Sequence, residues 1–142
     1  MFALTNSDLQ TLGSAANGIY VTGADMPLTN TKLAVVKQVL ADFKSVHFSG
    51  AITDYGTQAW AATMAAVQVM RKFKVYTAGA LMRDLPRAGT LRLGVLGPFN
   101  WGKPLQSQLP HRLYNPNFMW SVVQNGKLVP QLKTFTNILG LQ

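Results

Sequence analysis

A chain of 142 residues matches the roughly 100–200 residues of a single domain, and 48% hydrophobic with 13% charged residues gives enough apolar surface to collapse and too little charge for a disordered tail. No window approaches the roughly 20 apolar residues of a membrane-spanning helix, and the absence of cysteine excludes disulfides, thiolate catalysis and cysteine-based metal sites. Thirteen Lys and Arg stand against five acids, all Asp, for a formal charge of +8, a balance that attracts polyanions.

Met1 to Asp8 has no cationic segment followed by an apolar stretch, the pattern of a secretory signal; the expectation is a cytoplasmic chain or a piece of a longer exported one. Gly18 to Thr22 (GIYVT) is rich in β-branched and aromatic residues and bounded by glycine, which predicts a strand. After Pro27, Asn30 or Thr31 is placed to cap a helix whose apolar positions Leu33, Val36, Leu40 and Phe43 recur at helical spacing. A second helix is expected over 57–73, where Trp60, Met64, Val67 and Met70 repeat every three to four residues among five alanines. Arg71, Lys72 and Lys74 at its end face the negative pole of the helix dipole. Thr77 caps a third helix from Ala78 to about Leu85, ended by Pro86.

Gly89 to Pro116 is dense in glycine and proline, yet Leu91, Leu93, Val95, Leu96, Phe99 and Trp101 mark it as a structured loop system rather than a linker. Asn125-Gly126, between two apolar runs, predicts a tight β-hairpin turn. The core is expected to contain Leu33, Val36, Leu40, Trp60, Met64, Val67 and Leu81, with the helices packed on a small sheet.

Chemistry-bearing patterns are sparse. His47 and His111 have no second histidine or carboxylate at ligand spacing, the five aspartates form no pair on one helical face, and the glycines at 13–18 and 94–97 do not spell a phosphate-binding fingerprint. No catalytic residue, metal site or cofactor is expected. The cations run from Lys32 to Lys133 with one close group, which reads as a solvated face; nucleic acid is not an expected partner.

In order along the chain, Leu12 to Thr22 (LGSAANGIYVT), a helix ending Phe43-Lys44, Asp54 to Ala62 (DYGTQAWAA), Ala80-Leu81, Gly97-Pro98, Leu113 to Pro116 (LYNP) and Trp120 to Pro130 (WSVVQNGKLVP) resemble the C-terminal portion of branched-chain amino-acid ABC transporter solute-binding proteins, the type I, leucine-binding-protein-like periplasmic binding proteins. The resemblance covers nearly all of 1–142, read as a single partial domain. It implies an α/β fold of partial type I architecture with a C-terminal β-hairpin, no catalysis, an extracytoplasmic location, a small-molecule solute such as an amino acid, and an ABC permease as partner. It points to Ser14 and Asn17 as the residues near a solute. At the position where some amino-acid-binding members carry a carboxylate for the solute ammonium, this chain has Ser14, which supplies no counter-charge. Helices made to cover a larger sheet would leave apolar surface open to self-association. A second reading, carried by the charge, is a stand-alone basic module that binds an anionic polymer through Arg71 to Lys74 and neighbouring cations.

Overall fold

The computed structural model describes residues 4, 6–103 and 115–137. Among these the chain is mixed α/β, with four helices and two small antiparallel sheets. The order is α1 (Asn6–Leu12), a 3-10 turn (Gly13–Ala16), β1 (Tyr20–Gly23), α2 (Ala34–Ser45), α3 (Asp54–Phe73), α4 (Ala78–Asp84), a second 3-10 turn (Leu85–Arg87), β2 (Thr90–Leu91), β3 (Phe99–Asn100), β4 (Asn117–Gln124), β5 (Lys127–Pro130) and β6 (Thr136–Asn137). His111 and the LY of LYNP lie outside the described residues.

α2 begins at Ala34 with Leu33 at its cap and no side-chain cap bond, a correction to the expected Asn30 or Thr31. Those residues are spent in tight turns, with Asn30 N–H donating to the Pro27 carbonyl and Leu33 N–H to the Asn30 carbonyl. At its other end His47 takes a φ of 56°, and the Phe48 N–H reaches back to the Phe43 carbonyl at 3.1 Å. That is the left-handed stop that glycine usually provides, and it gives His47 a turn role.

α3 starts three residues earlier than the apolar spacing suggests. The Thr53 hydroxyl accepts from the Gly56 N–H, and Asp54 in the first turn suits the positive end of the helix dipole. Its innermost stripe is Thr57, Ala61, Ala65 and Val69, one step around from the expected Trp60, Met64 and Val67. Small side chains lie where the helix comes closest to the core, and the large ones wrap its flanks, half-buried. Leu33, Leu40 and Leu81 are likewise half-buried rather than central, while Val36 and Val39 are fully buried. Trp60 Nε1 donates to Asp42 Oδ2 at 2.8 Å, tying α3 to α2. α4 starts as expected, the Thr77 hydroxyl accepting from the Ala80 N–H.

The loop system after Gly89 is extended chain with buried Leu91, Leu93, Val95, Gly97 and Phe99 at every second residue, the period of a strand. It closes the main core together with Met26, α2, α3 and Met119 of β4. Gly97 is obligatory, because a Cβ there would overlap Asn117 Cβ. Asn117 is itself held, its Nδ2 donating to the Pro98 carbonyl at 2.8 Å and to Asn115 Oδ1 at 2.9 Å.

The larger sheet runs β1-β4-β5, with β6 also on β4. The hairpin turns at Asn125 and Gly126, whose φ values of 50° and 70° are the positive pair that a two-residue turn matched to strand twist requires. β4 is central, pairing Tyr20 with Val122 on one side and Val122 with Val129 on the other. Its inner face buries Met119, Ser121 and Val123. α1, which no periodicity announced, covers part of that face through Leu9, joined by Ala16 of the 3-10 turn against Val123.

Candidate functional site

Ser14 and Asn17 fall on the first 3-10 turn and its end. The turn is closed by the Asn17 N–H donating to the Ser14 carbonyl at 3.1 Å, so both residues occupy one small exposed knuckle just ahead of β1. The knuckle is fastened to the end of the hairpin. Asn17 Oδ1 accepts from the Asn125 N–H at 2.9 Å, the Gly18 N–H donates to the Val123 carbonyl at 3.0 Å, and the Val123 N–H donates to the Ile19 carbonyl at 2.9 Å. Residues 108 positions apart thereby form one wall.

Between them lies a shallow, open depression of about 340 Å³ lined by Asn17, Gly18, Val122, Val123, Gln124 and Asn125. Ser14 is not part of this lining. The depression offers amide groups and backbone on an apolar floor, with no charged side chain in its lining. Such a surface can hold the neutral or backbone-like part of a small solute by hydrogen bonds. It does not surround one, and enclosure is what gives small-molecule sites their affinity.

A second juxtaposition escaped the sequence reading. Asp25 follows β1, is bridged to Leu96, and lies near the first turn of α3. Burial above all, and then the Asp54 carboxylate, push its pKa up to about 6, against opposing hydrogen bonds from Gln58 and from its own backbone N–H. The two aspartates are 29 positions apart in sequence, so no helical or strand spacing could have paired them. Among the described residues no cluster of three His, Cys, Asp or Glu groups stands close enough to hold a metal ion.

The Arg71 to Lys74 run is partly engaged in structure. Lys72 Nζ donates to the Ala88 carbonyl at 2.8 Å, and Lys74 adopts φ 53° as the left-handed cap of α3. Among the described residues no helix is long and apolar enough to cross a membrane. The chain matches no family model, no curated protein and no solved structure.

Proposed function

We propose that this chain is the C-terminal part of a non-catalytic solute-binding component of an ABC transporter, a partial type I periplasmic-binding-protein architecture whose role is extracytoplasmic capture of an amino acid or similar small solute for a permease. The supporting observation is the seam in which Asn17, from the LGSAANGIYVT segment, is bonded to Asn125 of the closing hairpin. The two segments that carry most of the resemblance thus line one depression.

The chemistry of that depression fits a share of a site. Asn17 spends its carbonyl on the hairpin and keeps its Nδ2 donors out of that bond, and Ser14 adds a hydroxyl on the same knuckle. Charge-assisted contacts to a zwitterion have to come from a facing lobe, because the lining contains no ion and each such hydrogen bond is worth roughly 1.5–3 kcal/mol. The outward face of the sheet also suits a larger assembly, since it carries Tyr20, 68% exposed, and Trp120, 39% exposed. Left uncovered, that face drives the isolated chain to self-associate.

Calorimetry on two polypeptides tests the reading: the 142-residue chain, and the same chain extended by whatever in-frame coding sequence precedes Met1 in its gene. The chain alone is expected to give no saturable heat with leucine, isoleucine, valine or polar amino acids. The extended form is expected to bind one of them at micromolar Kd and to lose at least about tenfold in affinity on Asn17→Ala, the equivalent of roughly 1.4 kcal/mol. Micromolar binding by the chain alone, or an extended form that binds no small solute, overturns the proposal.

A further inference from the structure

The fold gathers charge that the sequence scatters. Arg71, Lys72 and Lys74 end α3, while Arg83 and Arg87 belong to α4 and the turn after it. Phe73 joins the two groups, with Lys72 Nζ 5.4 Å and the Arg87 guanidinium 5.6 Å from its ring centroid, a cation–π geometry on both counts. Arg87 in turn shares the Asp84 carboxylate with Arg83, at 3.0 and 3.1 Å. Asp84 is the only acid between Arg71 and Ala88. It is 2% exposed and held by both arginines, whose side chains stay 67% and 68% exposed; with Lys72 turned to the Ala88 carbonyl, four exposed cations, Arg71, Lys74, Arg83 and Arg87, stand against one spent carboxylate.

Two large apolar side chains protrude from the same segment. Tyr76 is 82% exposed and Met82 is 67% exposed. α4 turns Ala80, Leu81 and Asp84 inward and leaves Ala78, Gly79, Met82 and Arg83 outside. Nothing bulky therefore stands on the outer side of its first turn, and a flat surface can approach it.

We infer that this face, formed by Arg71, Lys74, Tyr76, Met82, Arg83 and Arg87, docks on an anionic phospholipid bilayer. Lys and Arg near an anionic leaflet gain from its surface potential, a tyrosine ring sits at headgroup depth, and an aliphatic side chain enters the acyl boundary. A single-stranded nucleic acid asks for successive aromatic platforms on which bases stack. This face offers one aromatic ring, and a methionine does not replace the next. The inference goes beyond the solute reading and depends on neither Ser14 nor Asn17.

Co-sedimentation of the 142-residue chain with vesicles tests it. Binding is expected to phosphatidylglycerol–phosphatidylcholine vesicles at low salt, with loss at about 0.5 M salt where screening is short-ranged, and no binding to pure phosphatidylcholine. Arg71→Gln with Lys74→Gln should lower partitioning about tenfold or more, and Tyr76→Ser with Met82→Ser should lower it at unchanged charge. Lys37→Gln with Lys44→Gln, which removes the same charge from α2, should change it by no more than about twofold; circular dichroism checks that each variant is folded. Equal loss in the two charge variants, no effect of the Tyr76 and Met82 pair, equal binding to neutral vesicles, or displacement from vesicles by a single-stranded oligonucleotide at lower concentration than the lipid each overturn the inference.

Discussion

The two halves of this molecule bury their apolar residues to different depths. Around α2 and α3 the core is thick: Val36, Val39, Ala61, Ala65, Val69, Leu93 and Val95 are buried from several sides, and the extended chain after Gly89 seals it. Around β1, the turn end of β4 and β5, a thin cluster of Leu9, Ala16 and Val123 lies on one face, while Tyr20 and Trp120 stand on the other. Hydrophobic stabilisation scales with the apolar area removed from water, so the first half is the more strongly held and the second the more thinly covered, although Val122 between Tyr20 and Val129 is buried. The candidate solute wall is built on the second half.

The largest expected effect breaks the join between the halves. Gly97→Ala puts a Cβ into the buried side chain of Asn117, which sits at the start of β4 and is held by its bonds to Pro98 and Asn115, and overpacking of this kind costs about 3 kcal/mol. Chemical denaturation should show the drop in midpoint, with near-ultraviolet signal from Trp120 altered. Next, Val69→Ala should destabilise by about 2 kcal/mol and Val67→Ala by about 1 kcal/mol, because the innermost stripe of α3 contains Val69 and not Val67. Equal costs would mean that the helix is turned differently about its axis.

Asp25 gives a pH-dependent effect of similar size. Its folded-state pKa of about 6 lies above the ordinary 3.8, so the folded state holds its proton more tightly than the unfolded chain does. The resulting stabilisation is complete below about pH 3.8 and is lost as pH rises through 6. At 1.36 kcal/mol for each pKa unit, discounted for partial exposure, it amounts to on the order of 2 kcal/mol. Asp25→Asn should therefore raise stability at pH 7 and flatten the profile between pH 4 and 6.5, measured by denaturant midpoints across pH. Asp84 works in the opposite sense: the hydrogen bond from Arg83 leads the causes that lower its pKa, and the stabilisation it gives is lost only on going below the ordinary carboxylate range. The smallest effect on stability is Tyr20→Ser, within about 0.5 kcal/mol for so exposed a side chain. It should nevertheless lower the weight-average mass in sedimentation equilibrium if the outward sheet face is what self-associates.

Local chemistry was legible in the sequence, and long-range geometry was not. The Asn125-Gly126 turn and the Thr77 cap follow from residue types that act on their own backbone, and both occur as read. The β-branched run predicts a strand from Gly18 to Thr22, and β1 is Tyr20–Gly23, two residues later at its start and one at its end, because Gly18 and Ile19 share the single partner Val123 on β4 and the Ile19 N–H turns back to the Ala16 carbonyl. The inward side of α3 differs from the expected Trp60, Met64 and Val67 for a physical reason: periodicity weights large apolar residues, whereas close packing here selects the smaller set Thr57, Ala61, Ala65 and Val69. α1 carried too few periodic residues to be seen, and the Asn17–Asn125 seam, the Asp25–Asp54 approach and the union of Lys72 with Arg87 over Phe73 all join residues that only the fold brings together.

Native-state hydrogen exchange on the isolated chain tests the contrast between the halves most directly. Amides of α2 and α3 around Val39, Ala65 and Val69 are expected to exchange slowest, through global unfolding. Those of β1 and of Val122 to Gln124 should exchange much faster, through local opening that leaves α3 intact. Equal protection across α3, β1 and the hairpin would contradict the account, since it would mean that the sheet bearing Asn17 is as fully supported as the helical core and needs no further cover.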